Sequence, residues 1–228
     1  WFLFKQMSHG TDGQGRGVHV CHVPHGSYRF FVTGQSLLPM LRRGHNFNAG
    51  KEDNPYYRHF SECGVNYMLD GLAKWTFPNG DNNGRTANAD GNGYGLYVAG
   101  ASHPVSYAAS ATSEPFAFFG NPEYSSPVGI AEVFGRTLRE IGQDMADYLV
   151  DGQSNYGQPG NCGGFAESDG INGGWEYSPR GTAHIDNSTN GWPAEALRIL
   201  RRKFGNETYD WAIDRQKCFL LNNCGVNG

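Results

Sequence analysis

Apolar residues recur at helical spacing along much of the chain. In the stretch 133–150 they return every three or four residues, with charged residues such as Asp144 and Asp147 on the opposite face, which predicts an amphipathic helix. The stretch 28–43 is apolar on all sides and predicts a buried helix that ends at Gly44. The same spacing predicts helices at 56–75, 190–203 and 209–222, and a weaker helical region at 94–120 that Pro104 and Pro115 interrupt.

Long polar stretches separate the predicted helices. Residues 76–95 and 151–186 are rich in Gly and Asn and predict loops. Loops of this length are uncommon in compact domains and are typical of functional or ligand-ordered segments. Residues 1–27 predict an irregular, histidine-rich N-terminal extension. The pattern therefore predicts an all-α fold with long loops over residues 28–228, in which successive helices form hairpins.

Two motifs resemble a known helical repeat. Residues 173–177 read Gly-Gly-Trp-Glu-Tyr, and Asp186 begins the pattern Asp-Asn-Ser-x-x-x-Trp-x-x-x-Ala-Leu. In the first predicted helix, Thr33 begins the pattern Thr-Gly-x-x-Leu-Leu. These motifs resemble the repeats of the prenyltransferase and squalene-cyclase superfamily. They are most similar to those of large exported bacterial and archaeal proteins that carry such repeats.

The resemblance implies α/α toroid-type helical hairpins. It covers residues 28–223 as about three hairpins, whereas a closed toroid of this superfamily has about twice as many. Each repeat buries its apolar face only against its neighbours. The resemblance therefore implies an incomplete or half ring, which a missing second half, a dimer or a larger assembly would complete.

Composition narrows the class of function. Hydrophobic residues make up 38% of the chain and charged residues 18%, and 33 of the 228 residues are Gly. The formal net charge of −4 argues against a general binder of nucleic-acid phosphates. No run reaches the roughly 18 consecutive apolar residues of a membrane span. Because the chain starts at Trp1, we expect a processed product or a piece of a longer protein. Low Lys, abundant Gly and Asn, and scattered Cys are typical of an exported protein, so we expect it outside the cell, at the cell surface or in the periplasm.

The first candidate site is a calcium loop. Asn88, Asp90 and Asn92 place oxygen donors at alternate positions with glycines at the turn, as in the first half of an EF-hand loop. Asp81 and Asn83 add two donors upstream, but the closing Glu of an EF-hand is replaced by Ala99. The alternative is a plain Asn/Gly turn. This loop therefore suggests Ca²⁺ as a cofactor.

A second candidate site is a transition-metal cluster near the N-terminus. It consists of His19, Cys21, His22 and His25, which are imidazole and thiolate ligand types for zinc, copper or haem iron. Their spacing matches no established ligand pattern, and unrelated loop histidines are the alternative interpretation.

Cysteines and aromatic residues supply the remaining candidates. A disulfide between Cys162 and either Cys218 or Cys224 is the first expectation, with buried free thiols as the alternative. Trp175, Tyr177 and Trp192 are candidate ligand-binding residues, or a cover over the helix that follows them.

The leading functional hypothesis is a structural or binding module of a larger extracellular assembly, with protein partners or self-association. It rests on the resemblance and on two absences from the sequence: the Asp-x-Asp-Asp acid motif of squalene cyclases, and the zinc-ligand spacing of protein prenyltransferases. The first alternative is a toroid enzyme, either isoprenoid-processing or carbohydrate-active. A second alternative, a metal- or haem-binding accessory protein, rests on the histidine cluster alone.

Overall fold

The computed structural model describes residues 5–11, 17–23, 28–47, 55–77, 87–101, 103–154, 173–180, 185, 187–205 and 210–223. Within these ranges the chain is mostly helical, which confirms the helical part of the prediction. The six α-helices are α1 (Arg29–Arg42), α2 (Pro55–Asp70), α3 (Ser110–Phe118), α4 (Leu138–Asp151), α5 (Asn187–Phe204) and α6 (Asp210–Asn223). A π-helical turn, Pro104–Ala109, leads directly into α3. The four strands are β1 (Lys5–Thr11), β2 (Gly17–His22), β3 (Leu72–Thr76) and β4 (Tyr94–Val98).

Helices α1, α3 and α5 lie side by side and run in the same direction. Near their starts, the rings of Phe31 in α1, Tyr107 before α3 and Trp192 in α5 contact one another, with centroids 5.4 to 6.4 Å apart. Near their ends, Arg42 of α1 and Lys203 of α5 both lie over the ring of Phe118. Helices α2, α4 and α6 connect to this row, since α2 packs on α1, and α4 and α6 pack on α5.

The four strands correct the all-helical prediction. Strands β1 and β2 pair antiparallel, and β2 packs on α2, where the sequence predicted irregular structure. Strands β3 and β4 also pair antiparallel, from Leu72 opposite Val98 to Thr76 opposite Tyr94. The helix predicted over 56–75 therefore ends at Asp70. Residues 72–76 form β3 instead, and buried and exposed side chains alternate along it, as expected of a half-buried strand.

Helix α4 begins later than the sequence predicted. Its first residue is Leu138, because Thr137 and Glu140 form a capping box. The Thr137 hydroxyl accepts from the Glu140 N–H at 3.3 Å, and a Glu140 carboxylate oxygen accepts from the Thr137 N–H at 2.8 Å. The residues before this cap form a turn in which Val133 is buried and Phe134 is exposed, so the apolar pattern extends beyond the helix itself.

Strand β4 lies against α4 at very short range. A Cβ placed on Gly95 would lie 2.9 Å from both Cβ and N of Tyr148 and 3.0 Å from the Asp144 carbonyl oxygen. Only glycine permits this approach. The chain just before β4 is therefore held beside the middle of α4, which positions the candidate site described below.

Trp175 anchors the loop that carries the first motif. It is fully buried, its backbone N–H donates to Asn190 of α5 at 2.9 Å, and its indole N–H donates to the Leu149 carbonyl of α4 at 2.7 Å. Further along the loop, Arg180 donates to the buried carboxylate of Asp151 at 2.5 Å. The loop therefore closes the space between α4 and α5.

None of the helices within the described ranges combines the length and the apolar character that crossing a membrane requires.

The contact between α1 and α3 generates a stability prediction. A Cβ on Gly34 would lie 2.2 Å from the Ala111 carbonyl oxygen, so Gly34→Ala forces the two helices apart. We expect it to destabilise the fold by about 1–3 kcal/mol, in the range of overpacked core substitutions. Thermal unfolding followed by circular dichroism measures the change.

Gly191→Ala is the matched control. Nothing lies within 4 Å of a Cβ at Gly191, which is an exposed helical position in α5. This substitution should raise stability by up to about 1 kcal/mol, because alanine favours helix more than glycine. Equal effects of the two substitutions would contradict the close approach of α1 and α3.

Candidate functional site: an oxygen-rich cluster between a loop and helix α4

Loop 87–93 carries a compact set of hydrogen-bonded oxygens. The Asn92 amide donates to Asp90 at 2.8 Å and to Asp144 of α4 at 2.7 Å. Its backbone N–H also donates to Asp90, at 3.1 Å. Asn88 accepts from the Gly93 N–H at 3.2 Å, which closes the turn. The loop therefore folds around its own Asn and Asp side chains and presents Asp90 to the helix.

The turn depends on two glycines. Gly91 and Gly93 have φ values of 75° and 86°, in the left-handed region that other residues rarely adopt. This conformation lets the loop reverse within a few residues before β4 begins at Tyr94.

Helix α4 contributes two carboxylates to the cluster. Asp144 and Asp147 are three residues apart and therefore share one face of the helix. Both are fully buried, with 0% exposure. One carboxylate oxygen from each of them and one from Asp90 lie within 4.8 Å of one another. Asp147 accepts from the Ala89 N–H at 3.0 Å and from the Gln143 amide at 2.7 Å. The site thus joins the loop to the helix.

Arg136 lies beside two of these carboxylates, those of Asp144 and Asp90. Its guanidinium donates to Asp144, to the Tyr94 hydroxyl at 2.8 Å and to the Glu132 carbonyl at 3.0 Å. It also lies 3.9 Å from an Asp90 oxygen. Arg136 therefore offsets part of the negative charge that Asp144 and Asp90 carry when they are ionised.

Burial also changes how Asp144 titrates. Desolvation raises the pKa of Asp144 to about 6, while the Arg136 guanidinium and the Asn92 amide oppose this rise and the Asp90 charge adds to it. The Tyr94 pKa is likewise raised, first by burial and then by the Asp144 charge. Ionised Asp144 is therefore less stable in this site than in water.

The arrangement suits a hard cation. Carboxylate and amide oxygens are the ligands that Ca²⁺ prefers, and Ca²⁺ tolerates an irregular ligand shell. A divalent cation would offset negative charge on these carboxylates, which burial makes costly. Asp90, Asp144 and Asp147 could ligate such an ion directly, and the side-chain oxygens of Asn88 and Asn92 lie in the same loop.

The structure brings part of the predicted calcium loop together. Asn88, Asp90 and Asn92 lie together in the loop beside α4, whereas Asp81 and Asn83 fall outside the described residues. Sequence reasoning missed Asp144 and Asp147 and assigned them to an exposed polar face. Their three-residue spacing on a predicted helix was the available signal, but nothing in the sequence placed that face against the loop.

The structure brings together few of the other predicted site residues. His22 is buried, and its ring centroid lies 4.8 Å from that of Tyr67. His19 and Cys21 lie on β2, but their side chains are outside the described set. His25 lies outside the described residues. Among the candidate ligand-binding residues, Trp175 is buried in the core, and Tyr177 and Trp192 are half-buried.

The predicted disulfide also falls mainly outside the described residues. Cys162 and Cys224 lie outside the described residues. Cys218 lies on α6, but its side chain is outside the described set. Cys63, which was not part of that prediction, is fully buried in α2 and is disulfide-bonded.

The chain matches no protein-family model, no curated protein and no solved structure. The resemblance to toroid repeats therefore rests on the motifs themselves, and the cluster must be interpreted from its own geometry.

The raised pKa of Asp144 predicts a pH dependence of stability in chelator-treated protein. Between about pH 4 and pH 6 the folded protein retains a proton on Asp144 that the unfolded chain releases. The unfolding free energy should therefore fall as pH rises through this window, by at most roughly 3 kcal/mol. Chemical denaturation at several pH values in excess chelator measures this slope.

Asp144→Asn is the comparison variant, since it cannot ionise. Its stability should change less with pH between about 4 and 6 than that of the wild type. Equal slopes for the two proteins would show that another group controls the titration.

Proposed function

We propose that the protein is a structural or binding module of an extracellular or cell-surface assembly, built of toroid-type helical hairpins and stabilised by calcium. The observation that carries the proposal is the convergence of Asp90, Asp144 and Asp147 on one point between a long loop and α4. Calcium bound there would tie the loop to the helix and so stabilise the module.

The helix arrangement supports a repeat module. Helices α1, α3 and α5 form a parallel row with the intervening helices packed against it, as expected when successive hairpins stack. The row is held by neighbour contacts, so further hairpins could continue it. This is consistent with the incomplete ring that the sequence motifs imply.

Two surface features support association with protein partners or with a second copy. Ile130, Phe134 and Leu221 are large apolar side chains with exposures of 37% to 49%. Between α5 and α6 there is also an open groove of about 530 Å³, lined by residues that include Arg198, Arg201 and Asp214. Both features would become buried in an assembly.

The disulfide at Cys63 supports an oxidising location. Structural disulfides persist mainly in secreted, surface and periplasmic proteins. The high Gly content and the low charged fraction of the chain agree with this location.

Calcium binding tests the proposal directly. In wild-type protein, about 10 mM calcium should raise the melting temperature relative to excess chelator. The reason is that a ligand at about 100 times its dissociation constant adds about 2.7 kcal/mol to the free energy of unfolding. Isothermal titration calorimetry should detect the binding. Asp147→Asn should weaken calcium affinity at least about tenfold, because it removes one carboxylate ligand.

Glu123→Gln is the control for this test. Glu123 is an exposed carboxylate that pairs with Arg139 at 2.9 Å and belongs neither to the cluster nor to the groove. Its removal should leave calcium affinity unchanged. A wild-type melting temperature that is the same in calcium and in chelator would contradict the calcium part of the proposal.

Native mass spectrometry tests the assembly part. We expect oligomers of the whole chain in calcium, and a shift toward monomer when a chelator is added. A monomer at all concentrations in both conditions would contradict self-association and leave association with other proteins to be tested by cross-linking on intact cells.

A further inference from the structure

The groove between α5 and α6 has charged walls. It measures about 530 Å³, and three basic and three acidic side chains line it. These side chains are 37% to 70% exposed, so the groove presents both signs of charge to solvent. They are Glu195, Arg198 and Arg201 on α5, and Asp210, Asp214 and Lys217 on α6.

The two helices that form the walls run antiparallel. Arg201, in the last turn of α5, donates to Asp210, in the first turn of α6, at 2.5 Å. We call this end of the groove the near end. At the far end, the Gln216 amide of α6 donates to the carbonyl of Asn190, in the first turn of α5, at 3.3 Å. Positions along one wall can therefore be compared with positions along the other.

Opposite signs of charge face each other across the groove. At the near end the α5 wall is basic, with Arg198 and Arg201, and the α6 wall is acidic. Toward the far end the signs are reversed, with Glu195 on the α5 wall and Lys217 on the α6 wall. The groove is therefore neutral as a whole, but at each end its two walls carry opposite charge.

The ion pairs within the chain leave these charges able to bind a second molecule. Glu195 pairs with Arg198 and Asp214 pairs with Lys217, both at 2.7 Å and each within one helix. Exposed pairs of this kind contribute little to folding stability. A guanidinium has about five N–H donors and a carboxylate has about four acceptor positions, so one such pair does not saturate either group.

We propose that this groove is the docking surface for a second copy of the chain, related by a two-fold axis that runs along the groove. Such an axis places the α5 wall of each copy against the α6 wall of the other, with near end beside near end. The basic part of α5 then faces the acidic part of α6, and Glu195 faces Lys217, in both directions. The inference rests on the self-association in the proposed function and names the surface that mediates it.

The charge pattern favours a second copy over a partner of one charge sign. Like charges that face each other across an interface lower affinity. A uniformly acidic or basic partner would be attracted by one wall and repelled by the other. The groove of a second copy satisfies both walls at once, because it carries the same alternation of sign.

An exposed apolar side chain adds to this surface. Leu221 is 49% exposed and shares one face of α6 with Ile213 and Lys217, because residues four apart lie on the same side of a helix. It lies in the last turn of α6, at the far end of the groove. In the dimer, Leu221 of each copy lies against the first turns of α5 of the other, which buries it.

Sedimentation equilibrium of the full chain in calcium tests the proposal with two charge-reversal variants. Arg198→Glu with Arg201→Glu makes the near end of the groove wholly acidic, and Asp210→Lys with Asp214→Lys makes it wholly basic. Each variant alone should dimerise at least about tenfold more weakly than the wild type, because like charges then face each other. An equal mixture of the two should form a dimer that contains one copy of each.

A variant that carries all four substitutions tests the two-fold arrangement. It exchanges the signs of the two walls at the near end, so they are again complementary between copies. We therefore expect it to recover dimerisation relative to either charge-reversal variant. Wild-type dimerisation should also weaken as salt is added, since the facing charges are exposed in the free chain.

Glu123→Lys is the matched control. It reverses an exposed carboxylate that pairs with Arg139 outside the groove, so it should leave the dissociation constant of the dimer unchanged. The groove substitutions replace exposed side chains, and every variant should keep the wild-type circular dichroism spectrum.

The outcomes separate this inference from the proposed function. A wild-type chain that stays monomeric would overturn both the inference and the self-association, and would leave the groove to a different protein. A wild-type dimer that both charge-reversal variants form equally well would overturn the groove as the docking surface while self-association stands. Calcium binding by the oxygen-rich cluster is measured separately and is affected by neither result.

Discussion

The close parallel packing of α1 against α3 is the constraint on which the rest of the structure depends. At Gly34 the two backbones approach so closely that a methyl group would lie 2.2 Å from the Ala111 carbonyl oxygen. Helix α5 then packs along the other side of α3. Because the three helices are parallel, their positive ends meet at one side of the row and their negative ends at the other.

This common direction explains how charge is distributed. Basic side chains are concentrated where the helices end, with Arg42 on α1 and Arg201, Arg202 and Lys203 on α5. They complement the negative helix ends, and two of them, Arg42 and Lys203, lie over Phe118. At the opposite side the helix starts carry aromatic rings and no first-turn carboxylates. The basic side chains thus balance the negative helix ends at one end of the row.

The oxygen-rich cluster depends on a different contact. Strand β4 can lie against α4 only because Gly95 has no side chain to collide with Tyr148. This contact brings the loop before the strand to the buried face of the helix, where Asp144 and Asp147 meet Asp90. The cluster therefore couples the position of a long loop to the helical framework, which is the mechanical role that a bound divalent cation would strengthen.

Local sequence alone determined the main helices. The apolar spacing in 28–43 and 190–203 predicted α1 and α5 to within three residues at either end, since an amphipathic or buried stripe needs only neighbours three or four positions away. It also indicated a turn at Asn88, Asp90 and Asn92, because the Asn and Gly preferences there are local. The tertiary structure alone decided that Leu72–Thr76 is a strand, since its partner Tyr94–Val98 lies about twenty residues away. It also decided that Asp144 and Asp147 are buried, because the face of a helix that meets a distant loop depends on contacts that no local pattern contains.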